Sequence, residues 1–222
     1  MVQLSDKKRI DKIVCLLRKA VKNLSEPSVT LVGKKWNDPF LVLVSCILSL
    51  RTKDETTLLA SQRLFELAMN PKAMLTLSVL QIEKAIYPVG FYKTKARNIK
   101  GMCKDILEKF GGRVPDEIED LLTLKGVGRK TANLVLTEGY GKLGICVDTH
   151  VHRISNRLGY IKTKNPEQTE MALRKKLPKK FWIEYNALLV TWGQNVCRPI
   201  SPRCTECAIS ELCSKKSVTT KR

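Results

Sequence analysis

The sequence predicts an all-α protein, a bundle of roughly ten short helices. Apolar residues recur at i, i+3, i+4 and i+7 in one window after another. Cap residues, prolines and glycines stand between those windows where helices start and stop. No stretch alternates apolar and polar residues as a half-buried strand does, and there is no low-complexity tract or solenoid period. Taken in order, Ser5 can cap a first helix whose inner face is Ile10, Ile13, Val14, Leu17, Val21 and Leu24. Pro27 ends it, and a polar link through Gly33 and Lys34 follows. Asp38-Pro39 places a cap before a proline at the first helical position, where the missing N–H is no loss. Phe40 to Leu50 is apolar on all sides and belongs at the centre of the bundle. Its polar end, Arg51-Thr52-Lys53-Asp54, emerges at the surface.

Further helices are expected over 54–69, 71–75 and 78–86. Tyr87 to Tyr92 breaks the pattern with two aromatic rings beside Gly90. Thr94 restarts a long basic helix to Phe110, closed by Gly111-Gly112. Asp116 caps another to Leu122, and 130–136, 151–158, 167–177 and 181–196 complete the set. Trp182 and Trp192 lie in the last, apolar helix and read as core.

With 222 residues, 43% of them apolar, the chain can bury a real core in one large domain or two small ones. Its charge is unusual: 40 Lys+Arg against 21 Asp+Glu gives +19 and a pI near 9.7. Such a surplus attracts polyanions, nucleic acid first among them. Met1 to Arg9 is polar and holds no apolar signal core. The most apolar run, Phe40 to Leu50, is far shorter than the ~20 residues a membrane span needs. The expectation is an intracellular monomer without a membrane, cytoplasmic or nucleoid-associated if prokaryotic, and not secreted. Cys15, Cys46, Cys103 and Cys146, scattered singly among apolar residues, are expected to be buried reduced thiols.

The stretch from Leu122 to His150 is the most informative. Gly126-Val127-Gly128 is a tight hairpin opening into a helical run, and its glycines permit positive φ, expected at Gly128. N–H groups at such a turn and in the first turn of the helix lack partners and suit a phosphate oxygen. Just inside the helix stands Lys130, and after a glycine-containing loop comes Asp148. An amine and a carboxylate near a phosphate-binding hairpin make a reactive pair. Alone, Lys130 reads as a phosphate-binding surface lysine. His150 either orients Asp148 or caps the following helix, and His152 is expected to line a groove or the surface.

Cys197, Cys204, Cys207 and Cys213 crowd one loop, separated by six, two and five residues. Pro199 and Pro202 stiffen it. Four thiols at this density in a reducing compartment point to a metal site rather than disulfides. Zinc and an iron–sulfur cluster both remain open, with a slight lean to iron because structural zinc usually takes two close pairs.

LKGVGRKTANLVL (124–136), VDTH (147–150) and the cysteine spacing together resemble the endonuclease III family of DNA glycosylases, in the helix-hairpin-helix glycosylase superfamily. The likeness spans nearly the whole chain. It implies a 4Fe–4S cluster on the four cysteines and two helical domains with a DNA groove between them. One would be a six-helix barrel over 32–141 containing the hairpin; the other would combine 1–31 with 142–222, including the cysteine loop 197–213. It implies a base excision repair enzyme acting on double-stranded DNA with damaged bases or abasic sites. Lys130 would attack C1′ of a flipped nucleotide, giving a Schiff base and β-elimination, and Asp148 would stabilise the cationic sugar.

Gly126, Val127 and Gly128 would hold phosphates, joined by Lys125, which replaces the usual proline. Arg203 would join them, as would Arg198 and the tail Lys215-Lys216 to Lys221-Arg222. Arg51 stands where many members have the glutamine that fills the gap left by the flipped nucleotide. Phe91 stands where they have an aliphatic wedge. The alternatives are a monofunctional mismatch glycosylase, whose branches tend to lack the lysine, and a non-catalytic DNA-binding module that keeps the cluster.

Overall fold

The structure, a computed structural model, describes residues 5–222; residues 1–4 of the polar N-terminal stretch lie outside it. Helices form all the regular structure, and no strand occurs among the described residues. None of the helices is long and apolar enough to cross a membrane. Pro27–Gly144 forms one compact unit, and Met1–Glu26 with Ile145–Arg222 forms the other. The limits expected from sequence were 31/32 and 141/142.

The first limit moves because 28–36 is not a polar link. It is a helix, α2 (Ser28–Trp36), packed on the central helices of its unit. Pro27, read as a terminator, also suits the residue before a first turn, and Asp54 completes the start by accepting from the Ser28 N–H (2.9 Å) and hydroxyl (2.5 Å). Gly33 sits mid-helix because the chain passes close by: a Cβ there would lie 2.8 Å from the Glu138 carbonyl oxygen.

Helix α3 (Pro39–Ser49) is the centre of this unit. Asp38 caps it, accepting from the N–H groups of Phe40 (2.7 Å) and Leu41 (3.3 Å). Every residue from Phe40 to Leu48 is buried. Around it pack α2, α4 (Asp54–Leu67), α7 (Tyr92–Phe110) and α9 (Arg129–Leu134), the last continuing as a π-helical turn, Val135–Gly139. Between them, α5 (Pro71–Thr76) is capped by Asn70, and α6 (Val79–Ile86) by a reciprocal Ser78–Gln81 pair. Helix α7 begins at Tyr92, two residues before the expected Thr94, and ends at Gly111 with φ +59°. Helix α8 (Ile118–Leu122) starts after Glu117 without a side-chain cap. Asp116, expected to cap it, pairs instead with Lys142 at 2.8 Å, and that ion pair holds its carboxyl below the ordinary range.

In the other unit, α1 (Asp6–Ala20) buries Ile10, Ile13, Val14 and Leu17 as its periodicity requires, though Ser5 makes no side-chain cap and Cys15, expected to be buried, is exposed on the opposite face; Cys46, Cys103 and Cys146 are buried. These residues join a core with α10 (Thr149–Arg157), α11 (Pro166–Lys176) and α12 (Trp182–Asn195). Trp182 and Trp192 lie in that core as expected, and Tyr185 is fully buried with its hydroxyl 3.2 Å from Ser155 Oγ.

Gly33 gives a test of how closely α2 is seated. Alanine is the better helix former by ~1 kcal/mol, whereas forcing a methyl into a filled space costs ~1–3 kcal/mol. Crowding should win, so Gly33→Ala should lower the urea unfolding midpoint. A raised midpoint would contradict the seating of α2 against Glu138.

Candidate active site and nucleic-acid interface

In the Pro27–Gly144 unit the hairpin joins α8 to α9. Positive φ falls at Gly126 (+82°), not at Gly128, whose φ is −109° and which serves as the N-cap of α9. The turn closes with Val127 N–H on the Leu124 carbonyl, which leaves Gly126 to take the left-handed residue. A Cβ at Gly126 would meet Asn98 Nδ2 at 3.1 Å, whereas one at Gly128 would meet nothing within 4 Å. Gly128 is therefore exposed on the open side of the turn. Val127 is buried and anchors the hairpin from below. Lys125 donates its N–H to Asp105 Oδ2 (3.3 Å) and lays its methylenes over Gly101 of α7, where a Cβ would come within 2.7 Å of Lys125 Cδ.

Lys130 is half-buried in the first turn of α9. Its charge reaches Cys46 on α3: burial pushes that thiol up to about 12, and Lys130 opposes the rise. Lys130 thus lies two residues past the hairpin glycine, on a helix that packs against α3. The switch from α to π winding at Val135 lies one turn further on, and such turns are frequent at functional sites.

Arg51 and Phe91 occupy two neighbouring loops of the same unit. Both adopt left-handed backbone, φ +54° and +59°, which costs an ordinary residue about 1–2 kcal/mol. Both side chains are exposed, Phe91 at 61%, so it is not a core residue. The Arg51 guanidinium lies 5.6 Å from the centre of the Phe91 ring.

In the Met1–Glu26 and Ile145–Arg222 unit, Asp148 is the N-cap of α10, its Oδ1 accepting from Val151 N–H at 2.8 Å. The cap is therefore Asp148 and not His150, whose Nδ1 is 3.1 Å from Arg153 Nη2 and whose ring packs on Gly193. His152 is fixed by Thr169 Oγ1 at 2.7 Å.

Cys197, Cys204, Cys207 and Cys213 line one cavity with Trp192, Arg157 and Arg203. Burial raises the Cys207 and Cys213 thiols, and the charges of neighbouring cysteines raise both further, as expected of sulfurs gathered round one space. Donors converge on them: Arg157 Nη1 on Cys197 Sγ at 3.5 Å and Lys215 N–H on Cys213 Sγ at 3.3 Å. The Trp192 indole N–H is buried without a hydrogen-bond acceptor in the protein, and it favours the thiolate form of Cys207. An orphaned donor and four sulfurs fit an anionic metal–thiolate group. Among the described residues, no three His, Cys, Asp or Glu side chains are drawn together tightly enough for a single metal ion.

Two arginines that the sequence left unremarked hold this loop. Arg157 is buried and donates to the carbonyls of Arg198 (2.7 Å) and Pro199 (2.6 Å); Arg153 donates to that of Cys197 (2.7 Å). Helix α10 is mostly polar, so nothing local in the sequence marked them. Arg203 pairs loosely with Glu206 at 3.8 Å, Arg198 is exposed, and the tail folds back, with Lys216 N–H on the Arg157 carbonyl.

Residues 44–179 match the family model described as HhH-GPD superfamily base excision DNA repair protein. The chain is 48% identical to Endonuclease III of Thermotoga maritima over 179 residues, 81% of this chain and 84% of that one. The chain belongs to the endonuclease III family. Two solved structures of the family superpose over 96% of this chain and 97% of theirs at 30% identity. One is a non-covalent Endonuclease III–DNA complex, with a TM-score of 0.83, and the other a trapped Endonuclease III–DNA covalent intermediate, with a TM-score of 0.78. The all-helical architecture is that of these endonuclease III structures.

The two hairpin glycines should respond differently to a methyl group. Gly126→Ala should lose about 1–2 kcal/mol of stability through left-handed strain, whereas Gly128→Ala should stay within about 0.5 kcal/mol of the unaltered chain. Thermal melts of both variants decide this, and equal losses would contradict the hairpin geometry.

Proposed function

We propose that this chain is a bifunctional base excision repair enzyme. As a DNA N-glycosylase it releases oxidised pyrimidines from duplex DNA, and as an AP lyase it cuts the resulting abasic site by β-elimination. The observation that carries the reading is the half-buried Lys130 amine set directly behind an exposed two-glycine hairpin. Membership of the endonuclease III family, one of whose members was trapped covalently on DNA, supports it.

The target nucleotide leaves the stack because its C1′ is out of reach inside it. Lys130 Nζ forms a bond to C1′ as the glycosidic bond breaks, and the base departs with that electron pair and takes up a proton. The amine gives up its proton and the sugar opens to the Schiff base. Loss of a C2′ proton then expels the 3′ phosphate. The Asp148 carboxylate stabilises the cationic sugar.

Phosphates are held by the N–H groups of Gly126, Val127 and Gly128, by Lys125 and Arg203, and by the basic tail. Arg51 and Phe91 fill the space the flipped nucleotide leaves. Cys197, Cys204, Cys207 and Cys213 hold a 4Fe–4S cluster, which when bound supplies iron–thiolate cross-links to the loop and a one-electron redox centre. Reduced thiols also require an intracellular setting.

Lys130→Gln should abolish covalent trapping by borohydride yet leave abasic-site affinity within about tenfold, or ~1.4 kcal/mol. Trapping that survives would assign the chemistry to another amine. Asp148→Asn isolates charge from capping, because asparagine caps a helix as well as aspartate does. It should keep lesion affinity while single-turnover cutting falls by a factor on the order of a hundred. Equal loss of both would reduce Asp148 to its helix cap. Gly128→Ala, with its methyl in the open space before the hairpin, should weaken binding to every substrate alike.

The purified protein should be yellow-brown, with a broad absorption at about 400 nm from thiolate-to-iron charge transfer. A colourless protein carrying stoichiometric zinc after anaerobic purification would contradict the cluster.

A further inference from the structure

Lys95, in the first turn of α7, takes no part in the chemistry above, yet it is 5% exposed. Its ammonium donates to the carbonyls of Leu48 (2.8 Å) and Leu50 (2.5 Å) and to Thr52 Oγ1 (3.2 Å). Leu48 belongs to the last turn of α3 and Leu50 is its C-cap, where carbonyls lack partners within the helix. Burial lowers the Lys95 amine to about 8, which still leaves it protonated at neutral pH and able to make all three bonds.

The same Thr52 hydroxyl accepts from the Gly90 N–H at 3.2 Å, and a Cβ at Gly90 would lie 2.7 Å from the Arg51 carbonyl oxygen. The 50–53 loop and the 88–91 loop are thus bound to each other, backbone against backbone, with Lys95 beneath both. Each loop carries one exposed residue in left-handed backbone, Arg51 and Phe91, and the Arg51 guanidinium lies over the Phe91 ring, 5.6 Å from its centre. A buried ammonium that satisfies only one loop and its helix end does more than fill space. A methionine would fill the same space without leaving a charge to desolvate. What the ammonium adds is a fixed path for the chain at residues 50–52.

We infer that Lys95 is a positioning residue that sets Arg51 and Phe91 as one cation–π pair, the element that replaces the displaced nucleotide. The inference rests on the DNA reading above and extends it to a residue that lies beneath the DNA-facing loops. Arg51 and Phe91 then act as a unit rather than as two independent contacts, and the unit is assembled before DNA arrives. Removing Lys95 leaves two carbonyls without donors and lets the 50–53 loop relax out of its left-handed turn. Enlarging Gly90 parts the same two loops from the other side and leaves Lys95 in place.

The test uses the full chain and duplex DNA with 2-aminopurine opposite a damaged pyrimidine, so that fluorescence reports loss of stacking on binding. Lys95→Met should remove most of the fluorescence rise and slow single-turnover excision about tenfold or more. It should change borohydride trapping on single-stranded abasic DNA, which has no gap to fill, by less than about twofold. In a background already carrying Arg51→Ala and Phe91→Ala, Lys95→Met should add less than about twofold, because the pair it positions is gone. Gly90→Ala should reproduce the Lys95→Met pattern, which decides the matter if Lys95→Met does not fold. An undiminished effect of Lys95→Met or Gly90→Ala in the double-alanine background would overturn the inference, as would an equal loss of trapping on single strands. Should the unaltered chain trap nothing, the lyase reading falls, and the fluorescence arm, which requires binding alone, still decides the role of Lys95.

Discussion

Helix α3 has no polar face, and the arrangement of its unit follows from enclosing it. Nine consecutive residues, Phe40 to Leu48, must be covered on every side, each large one stabilising the fold by about 1.5–3 kcal/mol when buried. The cover is supplied by α2, α4, α7 and α9 with its π turn. Those same elements carry or flank Lys130, the hairpin and the Arg51 and Phe91 loops. Burying α3 also leaves carbonyls of its last turn in need of donors away from bulk water. Lys95 supplies them from α7, and in doing so fixes the loop that bears Arg51. Core packing and placement of the functional loops are therefore one constraint seen from two sides.

A corresponding logic holds in the other unit. Arg157 and Arg153 reach from the mostly polar α10 to satisfy the carbonyls of a proline-stiffened loop that has little core of its own. Their donors, with the Trp192 indole, also raise the positive potential around four sulfurs. A loop built this way is prepared for an anionic group, and an arginine here serves backbone satisfaction and electrostatics together.

Much of this was legible in the sequence because its signals are local. The inner face of α1, the Asp38-Pro39 start, the Gly111 stop and the position of the hairpin each follow from residues within one or two turns. Errors arose where the deciding partner lies far along the chain. Gly33 read as part of a link, because nothing nearby shows that Glu138 needs the room. Asp116 read as a cap, because its actual partner, Lys142, is distant. Positive φ was expected at Gly128, whereas the Leu124–Val127 hydrogen bond assigns it to Gly126. Lys95, Arg153 and Arg157 could not be told from surface cations, since only tertiary contacts reveal that their charges are buried. Lys130 and Asp148 stood out through motif and spacing, but only the structure shows that Asp148 is also the N-cap of α10.

The central claim is that a single amine, that of Lys130, forms the covalent bond to DNA. The direct measurement is to reduce the protein with borohydride on an abasic duplex, digest both components, and locate the sugar remnant by peptide mass spectrometry. The account predicts the remnant on Lys130 alone. A remnant on Lys125, on Lys95 or on the N-terminal amine, or none on any lysine, would contradict it.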